Sequence, residues 1–411
     1  MYKVDNYING KSCSISTESS PIINPSYGRE IGEVHYATAE SANLAVESAY
    51  QAAKSWSKTG LTLRAELILK FRQGVIDRSS EIIDICINEA GKTKPDAEAE
   101  LDRAVQALTH VAGVQHFYPT HFSQNVAGGI DIADLRFPIG VVAGVGPFNF
   151  PILIPILHSA MALVTGNTYI AKPSEKVPSI SRLYADIYED IGLPDGCFNV
   201  INGGKEIVEQ LVRHEKVNGL AFIGSTVAAK SLKILGVEHN TKVQALGGGK
   251  NHMIVLPDAD LDMSADAAVS ASFGAAGQRC MAVSVVVAVG DIADELLDKI
   301  KERMPSLVMG VTDDDETQLG PVISQENKDK IYSFIDTAEP DGATLVVDGR
   351  IRSNSLEGCF VGPTLIDNVK PGMAVYENEI FGPVLSFVRA ETYDHAMEIT
   401  HSHNLGNGAA L

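Results

Sequence analysis

Between residues 140 and 236, short apolar segments alternate with amphipathic segments. Short uninterrupted apolar strands separated by amphipathic helices are typical of a parallel, doubly wound β-sheet. Ligands of such sheets bind at the carboxyl ends of the strands, so the residues after each strand are the first candidates for a functional site. The predicted strands are GVVAGV (140–145), TYIAK (168–172), CFNVI (197–201) and GLAFIG (219–224), and the predicted helices cover 151–164, 181–192, 205–214 and 228–236.

The rest of the chain predicts helices first and a second α/β unit later. Alternation in GGIDIADLRFP predicts an antiparallel β excursion over 122–138. The chain stops on the apolar run AAL, which predicts that it is incomplete at its carboxyl end. Apolar spacings of three and four residues predict helices over 41–56, 64–90 and 97–114, and the second unit has predicted strands at 252–256 and 283–290 and helices at 262–276 and 292–304.

The charge balance argues against nucleic acid and membranes as partners. The 411 residues include 33 Lys and Arg against 52 Asp and Glu, a formal net charge of -19, and an acidic chain repels nucleic acid and anionic membranes. Residues 137–171 hold no charged side chain and are long enough to span a bilayer. Prolines at 138, 147, 151 and 155 interrupt them, and a spanning helix must satisfy its own backbone, so this run predicts a soluble core.

The cysteines and the amino terminus indicate the compartment. The five cysteines are odd in number and include no CxxC pair, so neither a disulfide framework nor a metal site is predicted. The amino-terminal residues lack the features of a secretory signal. A cytoplasmic protein is expected.

One cysteine lies in a context that favours reactivity. In FGAAGQRCMAVS, Cys280 follows Arg279, after a predicted helix that ends at Ala276 and is broken by Gly277. A neighbouring positive charge lowers the pKa of a thiol and raises its thiolate fraction. The alternative is a buried core thiol, because free cysteine is among the most buried residue types.

Three further stretches carry polar residues at predicted strand ends. In GVVAGVGPFNFP, the Asn149 amide either donates into a cleft or caps the helix that Pro151 begins. In YIAKPSEKVP, Lys172 and Glu175 either bind ribose hydroxyls or form a solvated charge cluster. In LAFIGSTVAAK, Gly224 and Ser225 open a helix whose amides either hold a pyrophosphate or carry an ordinary N-cap.

In this order, PFNFP, KPSE, FIGST, LGGGK, GQRC and NEIFGPV resemble the aldehyde dehydrogenase superfamily over all 411 residues. QALGGGKNHMIVLPDADLD and FGAAGQRCMAVS resemble its methylmalonate-semialdehyde dehydrogenase branch, which transfers the acyl group to coenzyme A. The resemblance implies an α/β fold with two doubly wound domains, assembled as a homodimer or homotetramer. Its implied parts are a NAD-binding domain over 1–121 and 139–245, a β-hairpin oligomerisation excursion over 122–138, and a catalytic domain over 246–411 that is incomplete because the family's chains continue past Leu411.

The resemblance also implies a chemistry. Cys280 attacks the aldehyde, and the Asn149 amide and the Cys280 backbone N–H stabilise the oxyanion. Hydride passes to NAD and a thioester remains on Cys280. The residues implied to hold NAD are Phe148, Lys172, Ser174 and Glu175, then Gly224 and Ser225 at the pyrophosphate, and Glu379 and Phe381 at the nicotinamide ribose and ring.

One departure from the family pattern concerns the acyl acceptor. Hydrolytic aldehyde dehydrogenases carry ELGGK, whose glutamate helps to activate water, whereas this chain has Leu246 at that position. Leucine accepts no proton, and coenzyme A brings its own thiol, so coenzyme A is the predicted acceptor. A hydrolytic enzyme that yields a free acid, and an incomplete chain that binds NAD without turnover, stay open as alternatives.

Substrates of this branch carry a carboxylate, and a buried carboxylate needs a paired cation. Arg279 and Arg103 match arginines of the branch that suit this role, although an exposed helical arginine such as Arg103 is usually only solvated. The expected substrate is malonate or methylmalonate semialdehyde. Ala229 replaces a glycine that many relatives carry after GST, and modestly altered NAD contacts are expected.

Overall fold

A computed structural model describes residues 1–16, 18–117, 120–353 and 355–411. The chain divides into two compact units. The first unit comprises Met1–Ile22, Ile31–Cys86 and Glu98–Gly247, and the second comprises Ile23–Glu30, Ile87–Ala97 and Gly248–Leu411. The domain limits drawn from the resemblance stay a prediction. They assign Ile23–Glu30 and Ile87–Ala97 to the NAD-binding domain, whereas these two segments belong to the second compact unit.

The described elements alternate along most of the chain. The helices are α1 Ala39–Trp56, α2 Leu61–Asp77, α3 Ser79–Ala90, α4 Lys94–Ala112, α5 Val114–Phe117, α6 Leu153–Val164, α7 Ser179–Asp190, α8 Lys205–Arg213, α9 Thr226–Glu238, α10 Leu261–Phe273, α11 Ala293–Arg303, α12 Gln325–Thr337, α13 Arg350–Ser353, α14 Ala374–Glu377 and α15 Tyr393–Ser402. The strands are β1 Tyr2–Val4, β2 Asn6–Ile8, β3 Lys11–Cys13, β4 Ser19–Asn24, β5 Arg29–His35, β6 Phe122–Ala127, β7 Ile130–Ala133, β8 Val141–Val145, β9 Thr168–Lys172, β10 Phe198–Val200, β11 Val217–Ile223, β12 Lys242–Leu246, β13 Asn251–Val255, β14 Val283–Val289, β15 Thr344–Val347, β16 Thr364–Asp367, β17 Val384–Ala390 and β18 Ala409–Ala410.

The main sheet of the first unit runs in the order β12-β11-β8-β9-β10-β2-β3. Strands β8 to β12 pair in parallel, and β2 pairs antiparallel with β10 and with β3. The apolar run of β8 is buried, and helices α1 and α6 both pack against this strand. Helix α8 contributes one apolar stripe, formed by Ile207, Val208, Leu211 and Val212. The predicted doubly wound sheet is confirmed.

The main sheet of the second unit runs in the order β15-β16-β17-β14-β13-β18. All neighbouring strands are parallel except β15 and β16. Strand β14 is almost wholly buried in the centre of this sheet, as its continuous valine-rich sequence predicts. The second α/β unit expected from the sequence is confirmed.

Two local expectations are wrong, and one region was not predicted. Strands β1 to β5 lie within residues 1–35, for which the sequence predicted no element. These strands are short and bury few apolar side chains, so they show little periodicity. The helix predicted over 64–90 is interrupted at Arg78, whose φ of -105° and ψ of 22° end α2. The helix predicted over 262–276 ends at Phe273, and Gly274–Gly277 form a 3-10 turn.

The alternating segment at 122–138 contains an exposed hairpin, in which β6 and β7 pair antiparallel. Residues 137–171, which lack charged side chains, form β8, α6 and β9. Within the described ranges, no helix combines the length and the apolar character needed to cross a bilayer. The exposed apolar side chains of the hairpin and the following loop are Phe122, Val126, Ile130, Ile132, Leu135 and Phe137, at 49–77% exposure.

Candidate active site

The predicted polar residues of the first unit lie at the carboxyl ends of its parallel strands. Strands β8, β9, β11 and β12 are parallel, so their carboxyl ends meet at one edge of the sheet. The loops there are joined by backbone hydrogen bonds, from Gly146 N to Lys172 O at 3.0 Å and from Gly224 N to Leu246 O at 3.1 Å. The structure therefore brings the four stretches that contain Asn149, Lys172, Gly224 and Leu246 to one edge.

Asn149 does not cap helix α6. That helix begins at Leu153, and the backbone N–H groups of Ile152 and Leu153 both donate to Glu100 Oε1 at 2.8 Å. The carboxylate of Glu100, buried on α4, thus caps α6 and holds the segment that carries Phe148 and Asn149. Asn149 itself is 8% exposed, and its role as a donor into a cleft stays a prediction.

Glu100 is a positioning residue that the sequence reading missed. A signal existed, because Glu100, Ala104 and Leu108 follow one another at four-residue intervals and all three are buried. A carboxylate on the apolar stripe of a helix needs a partner inside the fold. Its partner, the amino end of α6, lies far along the chain and could not be read from that spacing.

Lys172 and Glu175 do not form a solvated cluster. Lys172 is the last residue of β9, is 6% exposed, and lies with Nζ 3.7 Å from Glu175 Oε2. Burial lowers the pKa of Lys172, and the Glu175 carboxylate opposes that shift. Ser174 lies between them and accepts a hydrogen bond from Lys176 N at 3.2 Å. The end of β9 therefore places the buried ammonium group of Lys172 beside the Glu175 carboxylate.

Ser225 is the N-cap of helix α9, and its side chain accepts from Ala228 N at 3.3 Å. The ordinary capping role left open by the sequence is thus present, and the helix still places its positive dipole end at the strand edge. Ala229 is buried against the sheet. Leu246, at the end of β12, is 53% exposed.

A small cavity in the second unit brings four predicted residues together. Its volume is about 20 Å³, and its lining includes Arg279, Cys280, Glu379 and Phe381. Cys280 is partly exposed there, so it is not a core thiol. All five cysteines are free, and the buried ones are Cys86, Cys197 and Cys359.

A strained turn precedes Cys280. Ala275, Ala276 and Gly277 have φ values of 51°, 53° and 68°, a left-handed backbone that non-glycine residues adopt only under constraint. A Cβ at Gly277 would lie 2.2 Å from the Gly382 carbonyl oxygen, so the turn packs directly against that backbone. Helix α10 therefore stops before the position predicted from sequence.

The backbone of Cys280 is fixed by two amides. Asn251 Nδ2 and Asn407 Nδ2 both donate to Cys280 O at 2.8 Å. Asn251 begins β13, and the same amide also donates to Ala282 O at 2.7 Å. These contacts orient the peptide that follows the thiol. Neither asparagine was singled out from the sequence.

The expectation that Arg279 lowers the pKa of Cys280 is wrong. Burial raises the pKa of this thiol, the backbone N–H groups of Cys280 and Met281 oppose the shift, and the Glu379 carboxylate adds to it. The guanidinium of Arg279 is instead paired with Asp96. Its charge is therefore largely compensated before it can act on the thiol.

The raised pKa predicts how Cys280 reacts with pH. A thiol with a raised pKa stays protonated at neutral pH, so alkylation of the cofactor-free protein by iodoacetamide should increase with pH and be half-maximal above about 8.5, the ordinary thiol value. Mass spectrometry of the Cys280 peptide separates this label from that on Cys13, which is also partly exposed. A half-maximum at or below the ordinary value would contradict the prediction.

Glu379 is tied to the LGGGK segment, because Gly249 N donates to Glu379 Oε1 at 3.1 Å. Burial raises the pKa of the Glu379 carboxyl. Lys250 is 1% exposed, and its Nζ donates to Val375 O and Asn378 O, both at 2.8 Å. Burial lowers the pKa of Lys250 to about 7. Lys250 thus holds the segment that leads to Glu379, a role the sequence reading did not assign.

Arg103 is exposed on α4, and its Nη1 donates to Gln106 Oε1 at 3.2 Å. It belongs to the first unit, whereas Arg279 belongs to the second. A substrate role for Arg103 stays a prediction. In the part of the chain that the structure describes, no group of three or more His, Cys, Asp or Glu side chains is arranged to hold a metal ion.

The chain matches the aldehyde dehydrogenase family over residues 13–411. A malonate-semialdehyde dehydrogenase of Halalkalibacterium halodurans is 38% identical over 412 residues, covering 100% of this chain and 84% of that protein. The crystal structure of a methylmalonate-semialdehyde dehydrogenase from Oceanimonas doudoroffii has a TM-score of 0.97 at 39% identity, again covering 100% of this chain and 84% of the other.

A Sinorhizobium meliloti protein described as a methylmalonate-semialdehyde dehydrogenase, solved in complex with NAD, has a TM-score of 0.96 at 39% identity and the same coverage. The motif order, the α/β architecture and these similarities agree over the length of the chain. They confirm the resemblance drawn from the motifs, and the chain belongs to the aldehyde dehydrogenase family.

Proposed function

We propose that this protein is a NAD-dependent dehydrogenase of malonate or methylmalonate semialdehyde that passes the acyl group to coenzyme A. The observation that carries the proposal is the cavity of the second unit, where Cys280 meets Arg279 and Glu379. The names of the similar proteins, malonate- and methylmalonate-semialdehyde dehydrogenase, support the substrate class.

Cys280 is the proposed nucleophile. After the thiol proton passes to solvent, Sγ forms a bond to the aldehyde carbon, and the π electron pair of the carbonyl moves onto its oxygen. The backbone N–H groups of Cys280 and Met281 already lie close enough to Sγ to lower its pKa, so they are placed to stabilise negative charge there. The resemblance adds the Asn149 amide as a further donor to the oxyanion. Arg279 is the proposed partner of the substrate carboxylate.

The residues at the first unit's strand edge fit NAD. Lys172 and Glu175 supply a shielded donor and an acceptor for ribose hydroxyls, and Ser225 opens a helix whose amino end favours a pyrophosphate. Phe148 in the loop after β8 and Ser174 between Lys172 and Glu175 are proposed for the same cofactor. Glu379 and Phe381 are proposed for the nicotinamide ribose and ring. NAD, when bound, would supply the acceptor for the hydride that leaves the substrate carbon. The NAD complex of the Sinorhizobium meliloti protein supports this cofactor.

Leu246 supports coenzyme A as the acyl acceptor, because its side chain accepts no proton from water. Among the described lining residues of the Cys280 cavity, Glu379 is the only carboxylate, and it accepts a hydrogen bond from Gly249 N. A thiol nucleophile needs less help from a base than water does, since its ordinary pKa is only about 8.5. Both points favour transfer over hydrolysis.

The test is NADH formation from malonate semialdehyde with and without coenzyme A, together with identification of the product. A general base contributes about 10²- to 10⁴-fold, so turnover without coenzyme A should be at least about 100-fold slower. Leu246→Glu should raise the rate without coenzyme A. Leu246→Gln should not, because glutamine has the shape of glutamate but not its basicity. Equal rates in both conditions, with free acid as product, would establish the hydrolytic alternative instead.

The exposed hairpin supports a homo-oligomer, dimer or tetramer. Strands β6 and β7 are exposed along their whole length and carry apolar side chains such as Phe122 and Ile132. A contiguous exposed apolar surface is typical of a protein interaction site. A cytoplasmic location stays a prediction, and the five free cysteines are consistent with it.

A further inference from the structure

A carboxylate on helix α4 holds Arg279, which lies in the loop before β14. Arg279 Nη2 donates to Asp96 Oδ1, and the two side chains form an ion pair. Asp96 lies in the first turn of α4, where Thr93 Oγ1 donates to its other oxygen, Oδ2, at 3.1 Å. The side chains of Arg279 and Asp96 are 34% and 17% exposed. Both oxygens of Asp96 are thus engaged, and its orientation is set from two sides.

The guanidinium also lies against backbone. A Cβ at Gly274 would lie 2.7 Å from Arg279 Nη1 and 2.8 Å from Nη2, so the absence of a side chain at Gly274 makes room for the group. Arg279 lines the same cavity as Cys280. A guanidinium has five N–H donors, and among the hydrogen bonds of the described residues Arg279 uses its side chain only toward Asp96. Donors remain for a ligand.

We propose that Asp96 is a positioning residue, which holds the guanidinium of Arg279 at the Cys280 cavity so that its remaining N–H groups bind the carboxylate of an acidic aldehyde. This inference rests on the proposed function and names the group that prepares Arg279 for that substrate. Two-point binding of a carboxylate requires the planar guanidinium to be correctly oriented. An arginine side chain that no neighbour holds samples many rotamers. The conformational entropy that it loses when a ligand orders it weakens the affinity for that ligand.

The test compares an acidic with a neutral aldehyde. Asp96→Asn keeps an acceptor for Thr93 and nearly the same shape but removes the charge that holds Arg279. We expect kcat/KM for malonate semialdehyde to fall about tenfold, mainly through KM, within the range of couplings between contacting residues. Propanal has no carboxylate for Arg279, so its KM and kcat should each change by less than about twofold.

Glu98→Gln is the matched control, because it removes one exposed carboxylate near the same end of α4. It should leave both aldehydes unaffected. An equal loss for malonate semialdehyde and propanal in Asp96→Asn would show a merely structural role and overturn the proposal. Unchanged KM values for both aldehydes would overturn it as well.

A second readout does not depend on turnover. The probe 3-hydroxypropanoate carries the carboxylate without the aldehyde, and it should protect Cys280 of the wild-type protein from alkylation by iodoacetamide. If protection is lost in Asp96→Asn, the role of Asp96 is upheld. This holds even if the protein does not oxidise malonate semialdehyde, because that result would refute only the proposed function. No protection of the wild type, or equal protection of both proteins, overturns the role of Asp96.

Discussion

Replacing Cys280 by alanine should lower NADH formation from malonate semialdehyde by more than about 10³-fold, the scale on which loss of a catalytic nucleophile acts. The expectation follows from the cavity, where Cys280 is the partly exposed thiol beside Arg279 and Glu379. Steady-state kinetics with saturating NAD and coenzyme A measures it. The residues proposed for the adenosine end of NAD, such as Lys172, lie in the first unit and are untouched by the change.

Cys13→Ala is the matched control, because Cys13 is the other partly exposed cysteine. It should retain full activity. NAD titration of Cys280→Ala, followed by calorimetry, should give a Kd within about twofold of the wild type, since no proposed NAD contact is removed. A variant that binds NAD and still turns over at a tenth of the wild-type rate would exclude Cys280 as the nucleophile.

Gly277→Ala should destabilise the second unit and disable the site at once. The new Cβ would lie 2.2 Å from the Gly382 carbonyl oxygen, at a backbone φ of 68°. Overpacking and a left-handed non-glycine residue together cost about 3 kcal/mol, which lowers the melting temperature by roughly 10 °C. Because the turn leads directly to Cys280, a displacement near 1 Å should reduce kcat/KM by about 100-fold.

Gly372→Ala separates the cost of a left-handed backbone from the cost of the steric clash with Gly382. Gly372 also has a positive φ, 93°, but a Cβ there meets no atom within 4 Å. Only the backbone cost of about 1 kcal/mol should remain, with activity near that of the wild type. Scanning calorimetry and the NADH assay of both variants give the comparison. Equal effects of the two substitutions would show that the close approach of Gly277 to Gly382 does not govern the site.

Much of the fold was predictable because local patterns of apolar and polar residues determine it. The apolar runs that became β8, β9, β11 and β14 are buried in parallel sheets, and burial on both faces requires an uninterrupted apolar sequence. The strands of residues 1–35 were missed because they are short and only partly buried. The kink after Phe273 was missed because Ala275 and Ala276 give no sequence signal for the left-handed backbone that they adopt.

For the site, the motifs and the family resemblance that they carry named Cys280, Asn149 and Lys172 as candidates, because each follows the end of a predicted strand or helix. Only the tertiary structure decides which groups surround the site residues and in which direction burial shifts their pKa values. It paired Arg279 with Asp96, placed Glu100 at the amino end of α6, and set Lys250 under the segment that leads to Glu379. These contacts join residues far apart in sequence, and both burial and pKa depend on what surrounds a group in space, which no local pattern specifies.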